Sequence, residues 1–309
     1  MKIVDAHQHF WNVDANYLPW LADKPVNFRY GDYSSIKRNY LPDEYLENSK
    51  KFDVVGSVFI ETEWDPTDPL GEVAWVKKIR AETGLPSVMV AQAWLDADDA
   101  GEILGSLGQT SFVRGIRHKP TASSSAGKIE LGAPGSMADP NWRRGYAQLA
   151  PNGLSFDLQT PWWHLPEAYS LAQDYPETHI NLNHTGLPSD RSTEGLKKWS
   201  AAMKLFARAS NTAVKISGIG LPNQPWSAED NKRIVLETIE IFGVDRCMFA
   251  SNFPVDSLVG TFETIFDGFD EITSGFDADE RDRLFNSNAG KFYRIEDNQL
   301  LKGSENVTS

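Results

Sequence analysis

The stretch Ile3-Val4-Asp5-Ala6-His7-Gln8-His9-Phe10 begins directly after Met1 and Lys2 and joins an apolar start to two histidines. Its β-branched residues favour a strand, and residues two apart on a strand point to the same side. His7 and His9 therefore share one face near the end of the predicted strand. If this strand is the first of a barrel, both imidazoles converge on the barrel mouth, where a metal ion, a water molecule or a substrate carbonyl would sit.

Seven similar runs follow, each separated from the next by a longer segment. The eight predicted strands are Ile3 to Phe10, Val54 to Thr62, Ser87 to Leu95, Phe112 to Pro120, Leu154 to Thr160, His179 to Gly186, Ala213 to Ile219 and Cys247 to Pro254. The intervening segments carry apolar residues at intervals typical of amphipathic helices. Clear examples are the stripes Leu70 to Ile79, Leu196 to Ala207 and Ile234 to Phe242, the last preceded by Ser227 as a predicted N-cap.

Strands that alternate with helices predict right-handed crossovers and a parallel sheet. Eight such units predict closure into a (β/α)8 TIM barrel in the α/β class, and the doubly wound open sheet is the alternative fold. A chain of 309 residues exceeds the usual size of a single core, but barrels of this kind reach that length as one domain. We therefore predict one barrel domain over residues 1–296 and a polar C-terminal tail over 297–309.

Two segments after predicted strands are unusual. The segment from Trp11 to Asp53 is too long for an ordinary βα loop and is rich in aromatic residues. Because long loops inside compact domains are often functional, we interpret it as a lid over the mouth. The Ser/Gly/Ala-rich segment from Thr121 to Ser136 is expected to be a mobile loop over the same face.

The composition excludes several classes of partner. The formal net charge of −13 and the pI near 4.9 argue against nucleic acid, which is bound by clustered Lys and Arg. The single cysteine, Cys247, rules out an intramolecular disulfide and a multi-cysteine zinc site. With no signal peptide and no long apolar run, we expect a cytoplasmic protein that has no membrane partner. The expected partner is a small cyclic molecule, and assembly into an oligomer stays open.

The carboxyl ends of barrel strands line the active site in this fold class. These ends collect five of the six histidines together with other charged or polar side chains: His7, His9, Glu61, Glu63, Arg114, Arg117, His118, His164, His184, Lys215, Ser217 and Asn252. Tryptophans such as Trp11 and Trp162 also follow strands, and their flat rings suit a cyclic ligand. Either Arg114 or Arg117 would anchor a substrate carboxylate, with a fold-supporting ion pair as the alternative role.

Three motifs together resemble the amidohydrolase superfamily, in the amidohydrolase-2 branch that includes sugar lactonases and the pyrone dicarboxylate lactonase. They are Asp5-Ala6-His7-Gln8-His9-Phe10-Trp11, Asn183-His184-Thr185-Gly186-Leu187-Pro188 and Phe249-Ala250-Ser251-Asn252-Phe253-Pro254. The resemblance implies that His7 and His9 are the strand-1 pair, which holds a divalent metal in many members and the substrate carbonyl in metal-free ones. It also implies that His184 is the strand-6 histidine, and that Asn252 stands where most members carry an aspartate.

This departure leaves the cofactor open between one divalent metal ion, zinc or manganese at His7 and His9, and none. An amide cannot act as a base near neutral pH and is a poorer cation ligand than a carboxylate. Asp256, Glu61 and Glu63 are the carboxylates that would compensate.

The leading prediction is a hydrolase that opens a lactone of a sugar acid or of an aromatic breakdown product. His7 and His9 would polarise the carbonyl, His184 would orient water or shuttle its proton, and Asn252 completes the predicted catalytic set. The predicted substrate-binding residues are Trp11, Glu61, Glu63, Arg114, Arg117, His118, Trp162 and His164. The alternatives are a metal-dependent hydrolase or decarboxylase of a small carboxylate, and a barrel that binds a ligand without turning it over.

Overall fold

The computed structural model of the protein describes residues 1–301. Its eight strands form one parallel sheet in which each strand pairs with the next along the chain. The strands are β1 (Lys2–Gln8), β2 (Asp53–Ile60), β3 (Val88–Gln92), β4 (Val113–Arg117), β5 (Ser155–Leu158), β6 (Ile180–Leu182), β7 (Thr212–Ile216) and β8 (Cys247–Phe249). The predicted TIM barrel is confirmed, and all eight strands fall within the predicted runs or within a residue or two of them.

The barrel closes at the carboxyl ends of its first and last strands. Gln8 forms a parallel bridge with Phe253. Beside it, the Asn252 amide donates to the His7 carbonyl and the His9 amide donates to the Phe253 carbonyl, each at 2.8 Å. The residues that complete the cylinder are thus neighbours of the predicted site residues, which fixes His7, His9 and Asn252 relative to one another.

Eleven α-helices occur in the described residues. They are α1 (Pro19–Ala22), α2 (Pro42–Ser49), α3 (Gly71–Thr83), α4 (Ala100–Gly108), α5 (Pro140–Tyr146), α6 (Leu165–Asp174), α7 (Thr193–Phe206), α8 (Ala228–Phe242), α9 (Phe262–Ile272), α10 (Ala278–Asp282) and α11 (Asn288–Phe292). The three predicted amphipathic stripes correspond to α3, α7 and α8. The Ser227 side chain accepts from the Asp230 amide, as its predicted N-cap role requires. No helix in residues 1–301 is both long and apolar enough to cross a membrane.

The predicted lid, residues 11–53, is a folded strap that carries α1 and α2. Its first residue, Trp11, is joined to Tyr40, just before α2, by two backbone hydrogen bonds of 2.9 Å. Most of its aromatic side chains pack inward: Trp11, Tyr30, Tyr33 and Tyr40 are buried, whereas Tyr17 is exposed. The Trp20 ring stacks on Phe28 with their centroids 5.8 Å apart. This packing holds the strap over the barrel mouth.

The other end of the barrel interior is closed by the C-terminal helices. Ala289 of α11 and the adjoining Tyr293 pack against the interior apolar residues Val4, Ala6, Val58, Ile60, Val88, Val90, Ala213, Met248 and Ala250. Of the predicted tail, the Leu301 amide still donates to the Val55 carbonyl, and residues 302–309 lie outside the described residues.

Candidate active site

A cavity of about 300 Å³ lies at the carboxyl end of the barrel, between the strand ends and the strap. Of the predicted site residues, it is lined by His9, Trp11, Glu63, Arg117, His184 and Asn252. The strap contributes Phe28 and Arg29 to its wall. A volume of this size lies at the lower end of the range for small-molecule sites, which fits a single-ring ligand.

Three histidines, from the carboxyl end of β1 and from the turn after β6, meet at this cavity. The His7 ring centroid lies 5.0 Å from that of His9 and 4.6 Å from that of His184. The Ile60 carbonyl lies 2.7 Å from His9 Nδ1. Because a carbonyl only accepts, Nδ1 carries the proton and Nε2 keeps its lone pair.

His184 and His7 differ in how their ring nitrogens are satisfied. Ser217 Oγ lies 2.9 Å from His184 Nδ1, so Nε2 is the nitrogen left for the cavity. His7 is fully buried, and neither of its ring nitrogens has a hydrogen-bond partner in the described residues. Buried polar atoms are nearly always paired in proteins, so two unpaired nitrogens next to the cavity-lining His9 and His184 point to a ligand or water.

The environment keeps all three imidazoles neutral. Burial lowers the pKa of His7 well below its usual value, and the charge of Lys215 adds to the effect. Burial followed by the nearby Arg117 does the same for the pKa of His9, and burial followed by Arg29 for the pKa of His184. A neutral imidazole keeps a free lone pair, so at neutral pH these groups are available to accept a proton or a hydrogen bond.

Backbone strain is concentrated at the residues that follow the strands. Glu63, His184 and Asn252 all adopt left-handed conformations, with φ near 55°, and all three line the cavity. Such conformations are costly for residues other than glycine and cluster at functional sites. Gly218 is needed beside them, because a Cβ there would lie 2.5 Å from His184 Nδ1 and 2.6 Å from the Arg29 guanidinium.

Three cations line the cavity, and each has a carboxylate partner. Arg117 Nε lies 2.5 Å from Glu61 Oε1, and Lys119 pairs with Glu63. Arg29 donates to the Gly218 carbonyl at 2.9 Å and lies 3.5 Å from Asp256. The predicted carboxylate anchor Arg117 is therefore engaged in an ion pair, and it also donates to Gln159.

The three carboxylates proposed as substitutes for the missing aspartate occupy different places. Asp256 is buried behind Asn252. The side-chain amide of Asn252 donates to Asp256 Oδ1 at 2.6 Å, and the Tyr30 hydroxyl donates to the same oxygen at 3.0 Å. Burial raises the pKa of Asp256. Glu61 is buried under Arg117 and accepts from the Glu63 amide. Of the three, Glu63 alone lines the cavity.

Four predicted site residues lie elsewhere. Arg114 is at the opposite end of the barrel, where it donates to the carbonyls of Ser111 and Arg294, so its predicted place at the mouth is wrong. Side chains alternate along a strand, and Arg114 is separated from the cavity-lining Arg117 by an odd number of positions. His118 faces away from the cavity for the same reason and accepts from the Leu95 amide at 3.1 Å.

The remaining two lie on the turn Trp162–His164 after β5. His164 is buried between Glu167 and the Ser123 amide, which donates to His164 Nε2 at 2.9 Å. It thus fastens the segment 121–136, which does not contribute to the cavity wall. The Trp162 ring packs edge-on against Trp163 with centroids 5.5 Å apart, away from the cavity. Lys215, also predicted at the mouth, lies in the barrel interior against Asp157.

Several cavity residues were missed by the sequence reading, notably Arg29, Lys119 and Gln159. Lys119 stands two positions after Arg117, so the alternation of a strand was a usable signal. Arg29 lies within the strap, and nothing in its sequence surroundings indicates that it reaches His184.

The family of the chain is decided by its sequence. A sequence profile described as Amidohydrolase matches residues 4–295. The chain belongs to the amidohydrolase family.

Three relatives of this chain illustrate the family. The protein y4mH of Sinorhizobium fredii is 40% identical to it over 295 residues, which are 96% of this chain and 99% of that protein. The L-fucono-1,5-lactonase of Burkholderia multivorans is 23% identical over 304 residues, covering 94% and 96%. A crystal structure of an amidohydrolase from Burkholderia multivorans with bound zinc superposes with a TM-score of 0.79 at 21% identity, over 96% of this chain and all of that one.

Amidohydrolases commonly hold a metal, but the side chains of this member do not fit one as they are arranged. No group of three or more His, Cys, Asp or Glu side chains within residues 1–301 could hold a metal ion. An uncharged Asn252 occupies the position next to the imidazoles, and Asp256 turns toward Asn252 and Tyr30. Positive charge from Arg117, Lys215 and Arg29 further disfavours a cation beside the histidines.

Proposed function

We propose that this amidohydrolase opens the ring of a small uncharged lactone by adding water to its carbonyl carbon. The observation that carries the proposal is the lining of the 300 Å³ cavity by two neutral imidazoles, His9 and His184, each with one nitrogen fixed by a protein partner. Groups held in this way are oriented before the substrate arrives, which is the arrangement general-base catalysis requires.

The charge balance of the cavity favours an uncharged ring over a carboxylate-bearing one. Arg29, Arg117 and Lys119 each have a carboxylate partner among Asp256, Glu61 and Glu63. A site that captures a dicarboxylate would be expected to present guanidinium groups free for paired hydrogen bonds. The name of the distantly related L-fucono-1,5-lactonase of Burkholderia multivorans agrees with a sugar-lactone substrate.

The proposed reaction uses the residues of this chain as follows. His9 Nε2 accepts a hydrogen bond from the attacking water, and His184 Nε2 removes its proton as oxygen bonds to the lactone carbonyl carbon. Negative charge on the former carbonyl oxygen is stabilised by Arg29, whose contact with Asp256 at 3.5 Å is the longest of the three cation–carboxylate contacts in the cavity. The tetrahedral species then breaks the ring C–O bond, and His184 returns the proton to the departing alkoxide, which gives an open-chain hydroxy acid.

The test is a panel of L-fucono-1,5-lactone, L-rhamnono-gamma-lactone and a pyrone dicarboxylate, with ring opening measured above the spontaneous rate. The proposal predicts turnover of at least one sugar lactone and its loss in His184→Ala. His179→Asn is the matched control, because His179 stacks on Phe292 away from the cavity. Turnover of the pyrone alone would overturn the charge argument, and undiminished turnover in His184→Ala would overturn the proposed base.

A further inference from the structure

A groove of about 1050 Å³ adjoins the catalytic cavity over the ends of β2 and β3. It shares Trp20, Val26 and Glu63 with the wall of that cavity, so the two spaces are neighbours that meet at these side chains. Beyond this shared edge, the groove is lined by Trp64, Trp94 and Gln92. The cavity suits one ring, and the groove offers space for further ligand next to it.

Three indole rings border the groove, and at least two of them are held in place. The Trp20 indole donates to the Thr62 carbonyl at 2.8 Å, and the Trp64 ring packs against Trp75 with centroids 5.8 Å apart. The faces of aromatic rings carry negative charge, which attracts the polarised C–H groups on the flat side of a sugar ring. Fixed rings of this kind form a platform at little entropic cost.

Gln92 supplies the polar group of the groove. It is the last residue of β3 and pairs in register with Arg117, so its side chain shares the inward direction of that residue. Gln92 is only 9% exposed, and its Oε1 is buried without a hydrogen-bond partner in the described residues. A buried acceptor without a donor is costly, and a ligand hydroxyl would satisfy it.

The charges of the groove do not favour an anionic ligand. Asp23 and Glu63 contribute two carboxylates, against the single cation of Lys24. An uncharged, polyhydroxylated group satisfies both the indole faces and the Gln92 acceptor. These features distinguish the groove from a surface that would attract an acid or a phosphate.

We propose that the groove is a second sugar subsite, and that the substrate is a lactone carrying a further sugar ring, such as the aldonolactone of a disaccharide. This inference rests on the proposed function, because it places the reacting lactone in the cavity and the second ring across Trp20 in the groove. Gln92 and Trp94 are then specificity-determining residues that contact only the distal ring.

The experiment compares kcat/KM for D-glucono-δ-lactone with kcat/KM for the δ-lactones of cellobionic and lactobionic acid, which add a second ring. The wild-type protein is expected to prefer the two-ring substrates. Trp94→Ala and Gln92→Met should each lower kcat/KM for the two-ring substrates by about 10-fold and leave the one-ring substrate unchanged. Trp163→Ala is the matched control, because Trp163 does not line the groove, so its loss should change kcat/KM for the one-ring and two-ring substrates equally.

A wild-type protein that opens both substrate sizes equally, or variants that slow both equally, would overturn the subsite. If no lactone is opened, the proposed function fails, and the groove is judged by calorimetric titration with gluconate and cellobionate. Tighter binding of cellobionate that disappears in Trp94→Ala would support the subsite, and equal or absent binding would overturn it.

Discussion

The two ends of the barrel interior both contain buried polar side chains, but they differ in how these are satisfied. At the closed end, Asp157 accepts from Lys215 at 2.5 Å and from the Tyr293 hydroxyl at 2.9 Å, and the Lys215 ammonium lies 4.8 Å from the Tyr293 ring centre. At the mouth, both nitrogens of His7 and the Gln92 oxygen lack partners in the described residues. At the closed end the Asp157 carboxylate has its donors, although the neighbouring Asn181 Oδ1 lacks one in the described residues. At the mouth, the unpaired atoms of His7 and Gln92 are left for water or a ligand.

This difference separates stability from function within one interior. The buried Lys215–Asp157 pair, with the Tyr293 hydroxyl on Asp157, links β5, β7 and the C-terminal segment. Removing one member of the pair leaves a buried charge unpaired. Unpaired neutral groups at the mouth carry a cost that a ligand offsets on binding. Substitutions at the two ends should therefore change different measured quantities.

The largest expected effect is on catalysis at the mouth. His9→Ala should lower kcat/KM by about 100- to 10,000-fold, because the imidazole that positions the water is lost. The double variant His9→Ala/His184→Ala should lose little more, since the two rings act on the same water as a unit. Steady-state kinetics on the best lactone of the panel measures both, and fully additive losses would show that the rings act independently.

A loss of stability is expected at the closed end. Burial lowers the pKa of Lys215 to about 8, yet Asp157 holds its proton in place. Lys215→Met should reduce the free energy of unfolding by about 3–5 kcal/mol, because it leaves Asp157 buried without its cation. Denaturant unfolding measures the loss. The control Asp157→Leu/Lys215→Met should recover part of it, and no recovery would argue against an ion-pair origin.

A smaller effect concerns the dependence of stability on pH. The folded pKa of His184 lies well below the unfolded value, so below about pH 6.5 the unfolded chain binds more protons and the free energy of unfolding falls. His184→Asn should reduce that slope by about 1.4 kcal/mol per pH unit. Asp5, whose burial raises its pKa to about 6, acts in the opposite direction in both proteins and cancels in the difference. Equal slopes would contradict a buried neutral His184.

The smallest expected effect is a gain in metal binding. Asn252→Asp restores a carboxylate beside His9 and should raise zinc affinity by about 10-fold, because an anionic ligand offsets the positive surroundings. Elemental analysis and competition with a chelator measure the gain. Asn252→Gln serves as the uncharged control, and an equal gain in that variant would rule out charge as the cause.

The sequence was most informative where the alternation of side chains along a strand decides which way a side chain points. His7 and His9 are two apart and do meet, and the eight repeated strands determine the barrel. Arg114 and His118 were assigned to the mouth because they lie near a strand end, although their odd spacing from Arg117 places them on other faces.

The rest of the site depends on contacts between distant parts of the chain. Arg29 reaches the cavity from the strap and contacts Gly218, which is 189 positions away. The left-handed backbone at His184 and Asn252 likewise has no local signal of glycine to announce it. Long-range packing decides such features, and a single sequence does not reveal it.

The separation of the two ends is tested most directly by measuring both quantities on His184→Ala and Lys215→Met side by side. We predict that His184→Ala loses at least about 100-fold in kcat/KM while its free energy of unfolding stays within about 1 kcal/mol of the wild type. Lys215→Met should show the larger loss of stability and the smaller loss of turnover in its folded form. Full turnover in His184→Ala, with the loss of activity confined to Lys215→Met, would contradict the account.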